Sequence, residues 1–200
     1  MKIIDVEQGS PEWFKVKAGI PSASAFDMII TYDGKPSKQR EKYMYSLAGE
    51  KISGVSEDGF KSFAMEKGLE KETEARDYYA MLHEKDTVIK AGFCLSDNGL
   101  WGCSPDSFVN DIGGLELKCP LIHTHVAYLL HKDKFISDYF QQVQGSLFVT
   151  GYKWWDLMSY YPGLKPLIIK VEPDKKFLKA LEVELTLFCE ELEEITKKIK

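Results

Sequence analysis

The spacing of hydrophobic and polar positions changes period several times along this chain, and each change marks an element. Over 115–119 apolar and polar residues alternate, which is the period of a half-buried strand. Strand side chains alternate faces, so Glu116 and Lys118 point one way and Leu115, Leu117 and Cys119 the other. Residues 110–114 supply a turn, with an aspartate and two glycines that tolerate positive φ. A hairpin on that turn brings Asp106 back beside Glu116. Strands are also expected over 87–94 and 100–103, joined by a turn at 96–99. With 106–109 and 115–119 they make a largely antiparallel sheet. Two further strands, 153–161 and 166–171, are separated by Pro162 and Gly163.

Helical spacing fills the rest. The chain opens on a short strand or arm. Pro11 fits a helix start before 12–17, and Ser22 and Ser24 are N-cap candidates for a short helix through 28–30. A helix over 37–51 is capped by Ser37 and ends near Gly54. In a longer helix over 60–82, Gly68, Glu72, Ala75, Tyr79 and Leu82 form one stripe, so Glu72 is its one inward charge and Arg76 lies elsewhere. A carboxylate among apolar neighbours is costly unless it is paired or holds a metal. Helices follow over 121–131 and 135–150. On the second, Tyr139, Gln142, Val143 and Leu147 share a face, which aims Gln142 inward, where a structural amide bond would also explain it. The last helix runs from Asp174, its N-cap, to the end. Leu178, Leu181, Leu185, Phe188, Leu192 and Ile195 give it a heptad-like seam, read as one helix packed across its own sheet.

Composition sets the frame for these elements. With 200 residues, 44% hydrophobic and 28% charged, one domain spanning 1–200 is the natural reading. No apolar run is long enough to span a bilayer and no signal-peptide core follows Met1, so a cytoplasmic protein is expected. Cys94, Cys103, Cys119 and Cys189 have no metal-ligand spacing and read as reduced, mostly buried thiols. His123, His125 and His131 read as structural or surface residues. The net charge of -5 lowers the expectation of a nucleic-acid binder, unless basic groups line one groove.

The segment 103–120, CSPDSFVNDIGGLELKCP, carries the chemistry. Its hairpin gathers Asp106, Glu116 and Lys118 on one patch. Two carboxylates at the ends of adjacent strands can hold Mg²⁺, a hard cation that prefers oxygen and keeps waters. The lysine can orient a water and offset phosphate charge. That is equipment for hydrolysing a phosphodiester, although a surface hairpin with an ordinary Glu–Lys pair would present the same tripeptide.

The flanking residues narrow the choice. SPD, the short hairpin and LELKCP together resemble the PD-(D/E)XK nucleases, and within them the phage lambda exonuclease (YqaJ-type viral recombinase) family. EQGSPEWFKVKAGIPSAS, GLEKETEARDYY and SDYFQQVQGSLFVTG resemble that family's opening segment, acidic helix and glutamine helix, in the family's order. The resemblance implies a restriction-endonuclease-like α/β fold, with a mixed central sheet flanked by helices. It implies a Mg²⁺-dependent 5′→3′ exonuclease on linear double-stranded DNA that releases 5′-mononucleotides and leaves 3′ tails. Asp106, Glu116 and the Leu117 carbonyl would bind metal, and Glu72 would support a second ion or its waters, with Mn²⁺ as a substitute. Lys118 would position the water, and Gln142 would sit near the scissile or terminal phosphate. Lys17, Ser24, Ser104 and Gln142 would receive the 5′-phosphate. Lysine at position 17 departs from the arginine of the family's lambda member and loses its bidentate fork. Ala64 and Met65 fall where the family wedges an end base pair apart. A homotrimeric ring around DNA and a single-strand annealing partner follow from the same resemblance. An endonuclease or structure-specific nuclease of the same superfamily, or a non-catalytic DNA-end-binding module, remains the alternative.

Overall fold

A computed structural model describes the backbone over 1–56 and 64–200 and the side chains over 1–56 and 71–200. A five-stranded mixed sheet organises it, in the order β2 (Val88–Lys90), β5 (Ser107–Val109), β6 (Gly113–Lys118), β7 (Trp154–Ser159) and β8 (Leu167–Val171). Only β6 and β7 run parallel. A parallel pair needs a long crossover, and α4 (Ile122–Leu130) with α5 (Lys132–Thr150) supplies it. Helix α3 (Ala64–Leu82) covers the opposite face.

The alternation expected over 115–119 holds and sets the layers. Leu115 and Leu117 pack with Ala75 and Tyr79 of α3. On the other face Trp155 and Leu157 pack with Tyr128, Phe135, Val143 and Leu147. Glu116 and Lys118 point toward α5, where Gln142 meets them.

A smaller antiparallel sheet, β1 (Lys2–Ile4), β3 (Phe93–Leu95) and β4 (Gly102–Cys103), lies alongside. The strand expected over 87–94 is therefore two strands in two sheets. Gly92 stands between them, and a Cβ there would lie 2.2 Å from the Ile4 carbonyl oxygen. The backbone passes too close to β1 for any side chain. Alternation reads the same on both sides of such a switch, so periodicity does not reveal it.

Three other expectations shift. The left-handed turn residues are Asn110 (φ 53) and Asp111 (φ 57), not the glycines. Gly113 and Gly114 belong to β6, where a Cβ would meet the Trp154 and Trp155 rings at 2.3 and 2.4 Å. They are small for packing rather than for turning. Ser37 does not cap a helix: α2 spans Arg40–Ser53, and the Ser37 hydroxyl accepts the Gln39 N–H just before it. Ser22 stands before a 3-10 helix, Ala23–Met28, without a capping bond, and its hydroxyl lies 3.2 Å from that of Ser24, one residue into the helix.

Helix α6 (Lys175–Ile199) is capped by Asp174, which accepts the N–H groups of Lys176 and Phe177, as expected. Its seam does not cross the large sheet. Leu181, Leu185, Phe188 and Leu192 join a core with Met44, Leu47 and Ala48 of α2 and Phe26, Ile29 and Ile30. All four cysteines are free thiols, three of them buried. His125 is buried and structural, bonded to the Ser159 hydroxyl and the Lys165 carbonyl. Among the described residues, no helix is long and apolar enough to cross a membrane.

Candidate active site

The β5–β6 register sets Ser107 opposite Leu115, which brings Asp106 beside Glu116 one step beyond the paired strand. Asp106 Oδ2 accepts the Leu117 N–H at 2.6 Å. The carboxylate takes the bond that a longer β5 backbone would have taken. In a strand the N–H and C=O of one residue point to the same edge, so the Leu117 carbonyl also faces the gap where β5 has ended.

Glu116 is buried, 4% exposed. Its Oε1 accepts Lys118 Nζ at 2.8 Å and Gln142 Nε2 at 2.5 Å. Lys118 Nζ also donates to Gln142 Oε1 at 3.0 Å and lies 4.6 Å from the Tyr139 ring centre. Glu116, Lys118 and Gln142 thus form a closed triangle. Glu116 Oε2 stands outside it, buried and without a hydrogen-bond partner among the described residues. A buried carboxylate oxygen is costly without a partner.

The charges respond to this crowding. Burial pushes the Asp106 carboxyl well above its usual range, and the neighbouring Glu116 charge adds to the effect. Burial and the Glu116 charge also raise Glu72, against the opposing pull of Lys118 and Arg76. Burial disfavours the Lys118 ammonium, but the Glu116 and Asp106 carboxylates outweigh it and raise its pKa. Burial raises the Cys119 thiol to about 12, so it stays protonated.

The residues expected at the site reach it from distant segments. One cavity of about 170 Å³ is lined by Asp106, Glu116, Gln142, Lys17, Ser24 and Ser104, together with Gln8, Trp13, Ala23 and Ser146. A larger cavity of about 430 Å³ shares Trp13, Lys17 and Ser24 with it. Glu72 is half-buried on α3 and close enough to feel the Lys118 and Glu116 charges. The Met65 side chain lies outside the described residues, as do 57–63.

Three residues bear on the site that the pattern alone does not assign to it. Trp13 donates its indole N–H to the Ser104 hydroxyl at 3.1 Å, and Lys17 Nζ stands 4.7 Å from its ring centre. Its neighbour Ser10 caps α1 (Pro11–Lys17), a local signal that fixes Trp13 in the first turn. Gln8 donates to the Ala91 and Pro105 carbonyls, bracing the loop before Asp106. No local signal marks Gln8, because both its partners are more than eighty residues away. Arg76, placed away from the inward stripe by helical spacing, reaches the sheet, where its Nε donates to Ser107 Oγ at 3.0 Å. Arg76 lies one turn beyond Glu72, at the edge of that stripe, and its long flexible stem covers the remaining distance.

The donor set fits a hard cation. Among the described residues, no three His, Cys, Asp or Glu side chains converge into a complete metal cage. Mg²⁺ does not need one, since it takes one or two carboxylates and keeps its waters. Asp106, the partnerless Glu116 Oε2 and the Leu117 carbonyl meet that requirement.

Residues 12–153 match the YqaJ-like viral recombinase domain family. No curated protein matches the chain. Among solved structures, LHK-Exo in complex with dAMP is 28% identical over 96% of each chain, with a TM-score of 0.84. The alkaline exonuclease LHK-Exo from Laribacter hongkongensis is 28% identical over 95% of this chain and 96% of that one, with a TM-score of 0.83. A phage-related exonuclease from Haemophilus somnus 129PT shares the fold at 13% identity, covering 90% of this chain and 96% of its own, with a TM-score of 0.71.

Proposed function

Since the chain belongs to the YqaJ-like viral recombinase family and is a nuclease, we propose that it digests linear double-stranded DNA from its 5′ ends. It proceeds 5′→3′, releases 5′-mononucleotides and leaves 3′ single-stranded tails for strand annealing. The observation that supports this reading best is the shared cavity. The paired carboxylates and four phosphate-compatible donors, drawn from segments more than a hundred residues apart, line one space.

Asp106, Glu116 and the Leu117 carbonyl would hold Mg²⁺ or Mn²⁺, with Glu72 supporting a second ion or its waters. When bound, such ions supply Lewis acidity toward the phosphate and make water a competent nucleophile near neutral pH. Lys118, held by Glu116 and Gln142, orients the attacking water and offsets charge that develops on the phosphoryl oxygens. Water attacks in line, the P–O3′ bond breaks, and the 3′ oxygen leaves. Lys17, Ser24, Ser104 and Gln142 hold the terminal 5′-phosphate, one cation and three neutral donors for a dianion. Each cut creates a fresh 5′-phosphate, so the same pocket draws the strand forward.

The cavity at the carboxylates is smaller than the roughly 300 Å³ from which small-molecule sites usually start. The adjoining larger cavity gives the terminal nucleoside room. That dAMP binds the related LHK-Exo supports a site of nucleotide dimensions. We propose by the same family resemblance a ring-shaped homotrimer and a single-strand annealing partner.

End-labelled linear duplex and closed circular DNA, incubated with Mg²⁺ and resolved on a gel, test the reading. The expected result is loss of 5′ label as mononucleotide, with circles intact. Nicking of closed circles would point to an endonuclease instead. Complete inactivity with Mg²⁺ and Mn²⁺ would point to a DNA-end-binding module.

A further inference from the structure

Glu72 and Asp106 approach the candidate metal site from opposite faces of the large sheet. Asp106 lies beside Glu116, on the face toward α5. Glu72 belongs to α3, which packs on the Leu115 and Leu117 face. Two carboxylates on different layers share an ion only if the helix is held at one rotation and one height over the sheet.

Among the described residues, three side-chain bonds tie α3 to the sheet and its β7 end. Tyr79 donates to Asp156 Oδ2 at 2.6 Å, and Glu74 accepts the Tyr160 hydroxyl at 2.7 Å. The third is Arg76 Nε to Ser107 Oγ at 3.0 Å. It differs from the others in where its ends lie. Arg76 follows Glu72 by one helical turn, on the same side. Ser107 follows Asp106 directly and is fully buried. The Ser107 hydroxyl that accepts from Arg76 donates in turn to the Asp106 carbonyl at 2.7 Å. The chain Arg76–Ser107–Asp106 therefore links the backbone of one carboxylate to the helix turn of the other.

Resting on the nuclease reading above, we infer that Arg76 is a positioning residue of the metal site, which through Ser107 sets Glu72 and Asp106 in one arrangement across the sheet edge. Arginine suits this place, because its planar guanidinium directs Nε at the serine while its fixed charge still acts on Glu72. The Arg76 charge also opposes the effect of burial on Glu72. Groups that orient metal ligands without touching the ion commonly control affinity by roughly 10–100-fold.

Calorimetric titration of Mn²⁺ into the DNA-free protein tests this without reference to turnover. Arg76→Ala and Ser107→Ala are each expected to weaken Mn²⁺ binding by about 10-fold or more, with the melting profile still cooperative. Ser107→Ala keeps the arginine charge, so its loss isolates the relay from simple electrostatics. Arg76→Lys keeps a charge but loses the directed Nε, and is also expected to bind Mn²⁺ more weakly than wild type. Preference for a 5′-phosphorylated end should survive in all three. Wild-type Mn²⁺ affinity, within about two-fold, in folded Ser107→Ala or Arg76→Lys protein overturns the inference and leaves the nuclease reading standing. A flat titration of the wild-type protein overturns both.

Discussion

At the scale of single residues, the site holds unfavourable electrostatics that a bound cation would relieve. Asp106, itself half-buried, stands beside the buried Glu116, and desolvation together with the Glu116 charge holds the Asp106 carboxyl well above its ordinary pKa. Asp106→Asn keeps an oxygen for the Leu117 N–H while removing the charge. It is expected to abolish cleavage and leave duplex binding intact, with no loss of thermal stability, because the repulsion goes with the charge. Gel shift, nuclease assay and melting on one preparation check this. Lys118→Ala should lose rate by orders of magnitude, and Lys118→Arg should not restore it, since a planar fork cannot occupy the same point between Glu116 and Gln142. An arginine variant with wild-type turnover would reduce the lysine to a diffuse charge.

The same shifts fix a pH dependence. Asp106 and Glu72 have raised pKa values in the fold. Between the ordinary carboxylate range and those raised values, the folded protein holds more protons than the unfolded chain. Metal-free stability therefore falls as pH climbs through that window. Metal binding must displace those protons, so affinity rises over the same window. Lys118 is shifted above 10.5, so its stabilising contribution is present below that value and is lost only as pH passes the raised one. Activity should climb with pH as the carboxylates ionise and hold until the lysine titrates. Melts with and without Mg²⁺, beside a pH–rate profile, test the sign; metal-free stability that rises through the carboxylate window would contradict it.

At the scale of elements, the packing of α3 on β7 gives a separate measurement. Asp156 is buried, and its Oδ1 has no partner among the described residues, so among them the Tyr79 hydroxyl supplies the one hydrogen bond to its carboxylate. Tyr79→Phe is expected to cost about 1–3 kcal/mol by urea denaturation. Combining it with Asp156→Leu should recover most of that loss, because no buried carboxylate is then left unpaired. A double variant as unstable as the single one would show that the hydroxyl matters for some other reason. The contrast between Gly92 and the alternating residues around it is also an element-scale matter. Alternation marks which residues pleat, but the neighbour each strand pairs with depends on backbone approach of Gly92 to Ile4, 88 residues earlier in the chain.

At the scale of the whole molecule, the question is how a chain with a net charge of -5 handles a polyanion. The shared cavity offers one answer, since Lys17 and neutral donors line it beside the two carboxylates, where on the proposed reading they would receive the terminal phosphate and a bound metal would offset the acids. Linear duplex bearing a 5′-phosphate is expected to be degraded much faster than the same duplex with a 5′-hydroxyl, and Lys17→Ala should shrink that gap. Equal rates on both ends would remove the phosphate pocket while leaving the carboxylate pair in place. Light scattering of the purified protein gives the oligomeric state, with a homotrimer expected.

The sequence by itself determined the β6 alternation, the hairpin that returns Asp106 to Glu116, the Asp174 cap and the inward glutamine at position 142. These depend on a residue's own conformational preference or on the repeat of one element, and both are local. The tertiary structure decided the rest. It split 87–94 between two sheets, used Gly113 and Gly114 to admit the Trp154 and Trp155 rings, and laid the α6 seam on α2. It also turned Arg76 toward Ser107 and brought the Trp13 indole to Ser104. Each of these is a contact between residues distant in sequence, chosen by which surfaces fit once the elements meet, and no pattern within a single element records it.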